Sequence, residues 1–319
     1  MLVDKVKEAY KNIADVVNKT PVMTSRTLNK ITNNKIFLKC ENFQRMGAFK
    51  FRGAYNAISR LSKEQRENGV ITHSSGNHAQ AVALASKILG IQATIVMPKN
   101  APQVKINATR DYGAKIVFCE NNLKSRAETT EKLISEGSFT LIHPYDNDNI
   151  IFGQGTAALE LVNEVGKLDI VIAPLGGGGL LSGTAIATKG LLPNSKVYGV
   201  EPAIADDALR SLSIGHIIPS DYPDTIADGL RTSICERTFK YLREYVDGIL
   251  TVLEREIVDA MRFIWERLKI IVEPSGAVPV AAILSQKLKT QNQKIGLILS
   301  GGNIELSEFF SYLEKKIKS

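Results

Sequence analysis

The sequence lacks any long apolar run. No stretch approaches the ~20 consecutive apolar residues that a membrane-spanning helix requires. The first eight residues, Met1–Glu8, are charged and amphipathic, and they have none of the apolar core of a secretion signal. We therefore expect a protein that does not associate with a membrane and that stays in the cytoplasm.

Cysteine and nucleic-acid signatures are also scarce. The three cysteines, Cys40, Cys119 and Cys235, are far apart and odd in number, which argues against a disulfide framework and against a cysteine metal site. The net charge is +7, but lysine and arginine are spread along the chain and accompany no nucleic-acid-binding motif. Nucleic acid is thus not an expected partner.

The sequence contains no internal repeat or long linker, and instead alternates short β-rich runs with amphipathic helical stretches. This alternation predicts an α/β fold with mostly parallel sheets. The predicted strands are Ile36–Cys40, Val70–Thr72, Ala93–Met97, Lys115–Cys119, Thr140–His143, Asp169–Ala173, Lys196–Val200 and Ile295–Leu299. The predicted helices are Phe49–Leu61, Asn77–Leu89, Val104–Tyr112, Ser125–Ile134, Gly155–Val165 and Leu180–Lys189.

The order of these elements predicts two domains. Residues from about 70 to 144 form a compact run of alternating strands and helices, and a second series follows it. We expect a small domain at 65–147, inserted into a large domain made of 1–64 and 148–319.

Four successive glycines, Gly176, Gly177, Gly178 and Gly179, stand between a predicted strand and a predicted helix. Without Cβ atoms the backbone can turn and point several N–H groups at one place, and the helix adds its N-terminal dipole. This arrangement predicts a phosphate site. The pattern matches neither the dinucleotide fingerprint nor the Walker motif. A tight turn without a ligand is the alternative.

Lys50 stands at the start of a predicted helix, between apolar Met46, Phe49 and Phe51. Apolar surroundings near a helix N-terminus lower the pKa of a lysine, and a neutral amine can attack an aldehyde. The alternative is a solvated lysine on a helix surface.

Several segments together resemble one family. The sequences Gly47-Ala-Phe-Lys-Phe-Arg-Gly-Ala54, Ser74-Ser-Gly-Asn-His-Ala-Gln80, Gly176–Gly179 and Leu299-Ser-Gly-Gly-Asn303 are similar to motifs of the fold-type II (β-family) pyridoxal-phosphate enzymes. Within it the chain resembles the serine racemase and serine/threonine dehydratase branch, over almost its whole length. The resemblance implies a two-domain, tryptophan synthase β-like fold with parallel sheets flanked by helices. Ala48 departs from the family, in which many members have serine there.

The resemblance also implies residue roles. Lys50 would carry the cofactor, pyridoxal 5'-phosphate, as a Schiff base, and the four glycines would bind its phosphate. Asn77 would hydrogen-bond the cofactor 3-hydroxyl and Ser300 would meet the pyridine nitrogen, although a helix cap and a turn hydroxyl are the alternatives for these two residues. The substrate carboxylate would bind a loop formed by Ser74, Ser75, Gly76, Asn77 and His78. The His78 side chain itself is expected to be structural, because the lysine already supplies the base.

Ser75 bears on the reaction. In serine racemases this position carries the serine that serves as acid and base on the face opposite the lysine, whereas many threonine dehydratases have alanine. The resemblance therefore implies a serine racemase that also dehydrates serine and other β-hydroxy amino acids. The alternatives are a serine/threonine ammonia-lyase or 3-hydroxyaspartate dehydratase without racemisation, another β-elimination or β-replacement enzyme of this fold, and, remotely, a non-catalytic amino-acid-binding module.

Further expectations follow from the resemblance. Glu201, Asp207 and the Ala205 carbonyl would bind Mg²⁺, Ca²⁺ or Mn²⁺, unless Asp206 or Asp207 only caps the next helix. Arg126 would reach the substrate, unless it is an exposed helix arginine. Arg231 could bind a second substrate carboxylate, and Glu273 matches a segment near the cofactor, with no role assigned. A homodimer is expected. Some racemases of the family respond to nucleotides, and no motif decides whether a nucleotide is an effector here. We also expect no second regulatory domain after the catalytic region.

Overall fold

The computed structural model describes residues 1–101, 103–220, 223–307 and 310. The strands of this part are β1 (Val22–Met23), β2 (Lys35–Cys40), β3 (Val70–His73), β4 (Ala93–Pro98), β5 (Lys115–Cys119), β6 (Thr140–Leu141), β7 (Ile170–Pro174), β8 (Lys196–Pro202), β9 (Gly248–Val252) and β10 (Lys294–Leu299). The helices are α1 (Leu2–Ile13), α2 (Arg26–Thr32), α3 (Lys50–Ser59), α4 (Lys63–Asn68), α5 (Asn77–Leu89), α6 (Gln103–Asp111), α7 (Leu123–Gly137), α8 (Asp148–Val165), α9 (Gly179–Leu191), α10 (Asp207–Ile214), α11 (Glu236–Tyr245), α12 (Glu254–Phe263) and α13 (Pro274–Leu284).

The strands form two sheets. The larger has the order β1-β2-β10-β7-β8-β9, and the smaller has the order β5-β4-β3-β6. Every pairing is parallel except that of β1, which runs antiparallel to β2 at one edge. The predicted α/β class with parallel sheets flanked by helices is confirmed.

The larger sheet is covered on both faces. All five residues of β7 are buried, which is typical of a central strand in a parallel sheet. On one face the sheet packs with α12 and α13, where Ile257, Met261 and Val280 are fully buried. On the other face α8 and α9 contribute buried residues such as Ile151 and Leu181. Each such side chain contributes roughly 1.5–3 kcal/mol of burial free energy.

Helix α8 begins at Asp148 rather than at the predicted Gly155. Asn147 caps it by accepting hydrogen bonds from the N–H groups of Asn149 and Ile150. A Cβ on Gly155 would lie 2.6 Å from the carbonyl oxygen of Gly183 in α9. Glycine weakens a helix as judged from sequence, but here its missing side chain permits the close crossing of α8 and α9. The predicted strand at Thr140–His143 is also shorter, because pairing stops at Leu141.

A buried cluster of four charges connects β2, α3 and α8. The Arg52 guanidinium donates to Glu41 (Nε to Oε2, 2.7 Å) and to Glu160 (Nη1 to Oε1, 2.8 Å), and Lys39 Nζ donates to Glu160 Oε2 at 2.6 Å. All four side chains are at most 2% exposed. The two positive and two negative charges balance, and they fix the helix on which Lys50 stands.

The strand β9 and the helix α13 were not among the predicted elements. A proline, Pro279, lies inside α13, and proline is a helix breaker in sequence-based reasoning. Within the described ranges, every helix is too short or too polar to cross a membrane.

Candidate active site

Lys50 is the first residue of α3. Its Nζ donates a hydrogen bond of 3.0 Å to the carbonyl oxygen of Pro144 and lies 5.2 Å from the centre of the Phe49 ring. Burial lowers the pKa of Lys50 from 10.5 to about 8, so that about one amine in ten is neutral at pH 7. The solvated-lysine alternative is wrong, because the side chain is half-buried and bonded inside the protein.

The glycine loop, Gly176–Gly179, follows β7 and leads into α9, and all four residues are buried. Within the described residues, no hydrogen bond uses the N–H groups of Gly176, Gly177 or Gly178. The first N–H groups of α9 also lack partners inside the helix, as in every α-helix. Buried N–H groups without partners are rare and favour a bound anion, so the loop fits the cofactor phosphate.

Packing gives a second reason for glycine in this loop. A Cβ on Gly177 would lie 2.4 Å from the Tyr145 ring, and a Cβ on Gly178 would lie 2.7 Å from Thr238. Gly178 also has a φ of +89°, which L side chains rarely adopt. The loop therefore requires glycine partly because neighbouring segments leave no room for a Cβ atom.

The Pro144 carbonyl lies between Lys50 and the glycine loop. The Pro144 oxygen that accepts from Lys50 lies 3.9 Å from the position of a Cβ on Gly179. The structure thus brings together two segments, around residues 50 and 176–179, which sequence reasoning linked only through the resemblance.

The predicted carboxylate loop lies between β3 and α5. Its Gly76 N–H donates to Ser74 Oγ at 3.2 Å, and Ser75 is half-buried. Gly76 is the N-cap of α5, and a Cβ there would meet nothing within 4 Å, so the loop has open space beside it. His78 is buried, and its Nε2 contacts the Ile142 oxygen at 2.9 Å. Burial, with a smaller effect of the Lys50 charge, holds the pKa of His78 well below its usual range, which suits a structural, neutral imidazole.

Asn77 is bonded to two distant segments. Its Nδ2 donates to Glu273 Oε1 and Oε2 at 2.8 and 3.1 Å, and its Oδ1 accepts from Asn303 Nδ2 at 2.8 Å. Asn303 Nδ2 also donates to the Met46 carbonyl at 2.7 Å, close to Lys50 in sequence. The helix-cap alternative for Asn77 is wrong, since the cap position belongs to Gly76.

Glu273 and Asn303 are the residues that sequence reasoning left without a role. Burial, together with the charge of Asp228, raises the pKa of Glu273 to about 8, although the hydrogen bond from Asn77 opposes the shift. Only their place in segments that resemble family motifs could have drawn attention to them.

Ser300 follows β10 directly and is 2% exposed. Its carbonyl accepts the Phe49 N–H at 3.0 Å, and the next carbonyl, of Gly301, accepts the Glu273 N–H at 3.1 Å. Within the described part, none of the hydrogen bonds engages the Ser300 hydroxyl. Ser300 is therefore adjacent to the start of α3, on the Lys50 side of the site.

His73, which no motif singled out, lies with His143 beside the site. Their rings are 5.9 Å apart, and the His143 ring meets the Tyr145 ring at 4.7 Å. Burial, with the nearby His73, lowers the pKa of His143 to about 4. Burial, with the charge of Arg126, also lowers the pKa of His73.

Arg126 is a half-buried residue of α7. Its Nε is buried and, among the described residues, makes no hydrogen bond. The alternative of an exposed helix arginine is therefore wrong. A buried N–H group without a partner is unfavourable unless a ligand or water satisfies it.

The predicted cation ligands Glu201 and Asp207 are both buried, at 0% and 1% exposure, and Ala205 is 1% exposed. Burial and the neighbouring Asp207 charge raise the pKa of Glu201 well above its usual range, and burial raises that of Asp207 to about 6. Two buried carboxylates, near enough for the charge of Asp207 to raise the pKa of Glu201, fit a hard divalent cation. The described residues contain no cluster of three or more His, Cys, Asp or Glu suited to a metal ion, so carbonyl or water ligands would be needed.

The alternative in which Asp206 or Asp207 only caps α10 is wrong. Asp206 stands at the N-cap of α10 but makes no side-chain cap hydrogen bond, and it pairs with Arg210 at 2.8 Å. Asp207 accepts the N–H of Ile234 at 3.2 Å. Glu201 instead accepts the N–H groups of the first turn, from Ala208 at 3.2 Å and from the residue after it at 3.1 Å.

A short turn, Asp228–Leu230, borders the site. A Cβ on Gly176 would lie 2.9 Å from Leu230 Cα, so the turn packs against the glycine loop. Asp228 pairs with Lys105 at 2.7 Å. Arg231, the predicted partner of a second carboxylate, donates from Nη2 and Nε to the Thr225 carbonyl at 2.7 and 3.1 Å.

Comparison with known proteins identifies the family. A family described as "Pyridoxal-phosphate dependent enzyme" matches residues 13–301. Serine racemase from Dictyostelium discoideum is 49% identical over 313 residues, 97% of this chain and 96% of that protein. L-threo-3-hydroxyaspartate ammonia-lyase from Saccharomyces cerevisiae is 48% identical over 312 residues, 98% of this chain and 96% of that protein.

A solved structure agrees with these matches. The structure of maize serine racemase superposes with a TM-score of 0.94 at 43% identity, covering 99% of this chain and 98% of that one. The half-buried Lys50, the donor-rich glycine loop and the matched length lead to one assignment. The chain belongs to the pyridoxal-phosphate dependent enzymes and has the fold-type II architecture.

Proposed function

We propose that the enzyme racemises serine and also dehydrates serine and related β-hydroxy amino acids to keto acids and ammonia. The observation that carries the proposal is the attachment of the Ser75 loop to the lysine segment. Asn77, two residues after Ser75, is bonded through Asn303 to the Met46 carbonyl. The loop that carries the Ser75 hydroxyl is thereby linked to the segment that carries Lys50, in a chain that is similar to serine racemases from more than one organism.

The cofactor and the residues around it have separate roles. Bound pyridoxal phosphate supplies an electron sink for charge at the substrate α-carbon. The glycine loop would hold its phosphate through backbone N–H groups, Asn77 would hydrogen-bond its hydroxyl and Ser300 would face its ring nitrogen. Because Ser300 is a neutral hydroxyl, it would not force a proton onto that nitrogen, and long-lived negative charge at the α-carbon would be disfavoured. Such a site would favour rapid reprotonation or rapid loss of a β-hydroxyl.

Proton transfer at the α-carbon requires an amine that is partly neutral. The pKa of Lys50, lowered to about 8 by burial, meets this requirement near neutral pH. Lys50 removes and returns the proton on one face. Ser75 serves the opposite face, while Ser74, Ser75, Gly76, Asn77 and His78 provide the surroundings of the substrate carboxylate at the N-terminus of α5. Arg126 extends toward the substrate with its unpaired Nε.

We further propose a domain arrangement, a cation site and a state of assembly. Residues 65–147 form the small domain, inserted into a large domain of 1–64 and 148–319. A Mg²⁺, Ca²⁺ or Mn²⁺ ion binds Glu201, Asp207 and the Ala205 carbonyl, which offsets the repulsion of two buried carboxylates. The active form is a cytoplasmic homodimer, and a nucleotide can act as its effector. Chelation should lower both activity and melting temperature if the cation is bound there.

The deciding experiment incubates the cofactor-loaded enzyme with L-serine and quantifies D-serine and pyruvate together. Ser75→Ala should abolish D-serine formation and preserve pyruvate formation, because only the opposite-face proton is lost. Ser135→Ala is the matched control, since that hydroxyl is exposed on α7 and its one hydrogen bond within the described ranges goes to the nearby Lys132 carbonyl. D-Serine formation by Ser75→Ala at the wild-type rate would reject the assignment.

A second candidate is a 3-hydroxyaspartate ammonia-lyase without racemisation. The yeast relative of that name is 48% identical to this chain, nearly as similar as the Dictyostelium racemase. It predicts faster elimination from L-threo-3-hydroxyaspartate than from L-serine, with no D-serine produced. The same incubation, repeated with both substrates, separates the two candidates.

A further inference from the structure

Lys105 and Asp228 form an ion pair between the two sheets of the protein. Lys105 belongs to α6, between β4 and β5 of the smaller sheet, whereas Asp228 begins the Asp228–Leu230 turn in the part that carries the larger sheet. The Nζ and Oδ2 atoms are 2.7 Å apart, and the side chains are 23% and 44% exposed. The pair is therefore accessible to a charged solute as well as to water.

The pair lies next to the site described above. The turn that carries Asp228 packs against Gly176 of the glycine loop, and its Gly229 N–H donates to Ser275 Oγ at 3.0 Å. The charges of Asp228 and Lys105 both reach the Glu273 carboxyl, whose pKa they shift in opposite directions. Glu273 in turn accepts the hydrogen bond from Asn77. A charge on the side chain of a substrate bound beside Asn77 would meet the same two charges.

We propose that Asp228 is a specificity-determining residue that disfavours amino acids with a second carboxylate. It does so in two ways: it places a negative charge at the border of the site, and it engages Lys105 in an ion pair. The inference deepens the proposed function, because it takes an amino acid as the substrate and assigns uncharged side chains as the preferred class.

Removing the charge of Asp228 should reverse the preference. Asp228→Asn keeps the shape of the side chain but leaves the positive charge of Lys105 less compensated. For unit charges several ångströms apart, at a dielectric between that of water and that of the protein interior, the expected gain for a dicarboxylic ligand is about five- to tenfold. Lys105→Glu should produce a loss of similar size, because it puts a second negative charge beside Asp228.

The test compares L-aspartate with L-asparagine, which have nearly the same shape and differ by one charge. Dissociation constants for both are measured on the cofactor-loaded enzyme from the change in cofactor absorbance. The ratio of the two constants should move toward L-aspartate in Asp228→Asn and away from it in Lys105→Glu. Asp259→Asn is the charge-matched control, because Asp259 is exposed on α12 and its one ion pair among the described residues is with Arg255 four residues earlier.

A ratio that changes less than twofold in both variants overturns the inference, and so does an equal change in the Asp259→Asn control. Turnover of L-threo-3-hydroxyaspartate relative to L-serine should shift in the same direction as the binding ratio. The binding measurement requires no racemisation or elimination. If the wild-type enzyme converts neither substrate, the proposed function fails while the binding ratio still decides the role of Asp228.

Discussion

Replacing Arg52 by methionine tests the buried charge cluster most directly. Arg52 is fully buried and donates to both Glu41 and Glu160, so that its loss leaves Lys39 alone with two buried carboxylates. Removing one partner from a buried ion-pair network costs about 3–5 kcal/mol, because the remaining charge is uncompensated. For 319 residues, an unfolding entropy of about 2.1 cal/mol/K per residue converts that loss into a fall of about 4–7 °C in melting temperature.

The pH dependence gives a second, sharper criterion. In the wild-type protein burial alone would raise the pKa of Glu41, but Arg52, Lys39 and Thr20 overcome this and lower it. Without Arg52 the Glu41 pKa should rise above its unfolded value of about 4.3. A carboxyl of raised pKa stabilises the fold below the unfolded pKa and loses that contribution as pH rises. The melting temperature of Arg52→Met should therefore lie closer to that of the wild type at pH 5 than at pH 8.

Scanning calorimetry of the cofactor-free and cofactor-loaded forms measures both effects. Arg255→Met is the matched control, since Arg255 is 74% exposed and, in the part of the chain that the structure describes, forms one ion pair, with Asp259 four residues later. The melting temperature of Arg255→Met should equal that of the wild type, because exposed ion pairs contribute little to the free energy of unfolding. A fall of less than 2 °C in Arg52→Met, or the same fall at pH 5 and pH 8, would refute the reasoning.

Four further outcomes are expected. Lys50→Ala should abolish turnover and leave protein with no borohydride-fixable cofactor; fixation at another lysine, seen by peptide mapping, would contradict the assignment. Gly178→Ala should weaken cofactor affinity at least tenfold in absorbance titrations, because its φ is +89° and Thr238 lies 2.7 Å from the new Cβ; unchanged affinity would show that the loop adapts. The wild type should lose stability between about pH 5 and 8, because the folded pKa of Glu273, about 8, exceeds the unfolded value, and Glu273→Gln should remove this loss. Calorimetry of both proteins across that range measures the loss. Parallel stability curves would mean that the carboxyl is ionised throughout, contrary to this prediction. Gly155→Ala should lower the melting temperature by several degrees, since the new Cβ would lie 2.6 Å from a carbonyl oxygen of α9, and a variant as stable as wild type would argue against that close crossing.

The fold was predictable where local pattern and tertiary structure agree. The helix at Asn77–Leu89 has the bounds expected from its spacing and from Gly90, which ends it in the left-handed conformation. The strand β2 differs from the expected Ile36–Cys40 by one residue. Helix α8 differed more, because glycines that weaken a helix in isolation are required by its crossing with α9.

The site was predictable in its ligand-facing segments and less so in what supports them. Lys50, the glycine loop and the Ser74–His78 loop each carry a local pattern with a physical meaning. The pairing of Arg52 with Glu41 and Glu160, the contact of Lys50 with Pro144 and the bond of Asn77 to Glu273 join residues far apart in sequence. No local pattern encodes such a contact, since either residue alone is compatible with an exposed position.

The position of β10 in the larger sheet has a consequence for how the polypeptide matures. This strand, at residues 294–299, lies between β2 at residues 35–40 and β7. A ribosome must therefore synthesise most of the chain before the two halves of the sheet can be joined, whereas the smaller sheet is complete once Leu141 has emerged. The earlier sheet can form during synthesis, but β2 and β7 must wait with unpaired edges. If synthesis stopped before β10, the smaller sheet would be complete, but β2 and β7 of the larger sheet would keep unpaired edges that are prone to aggregation.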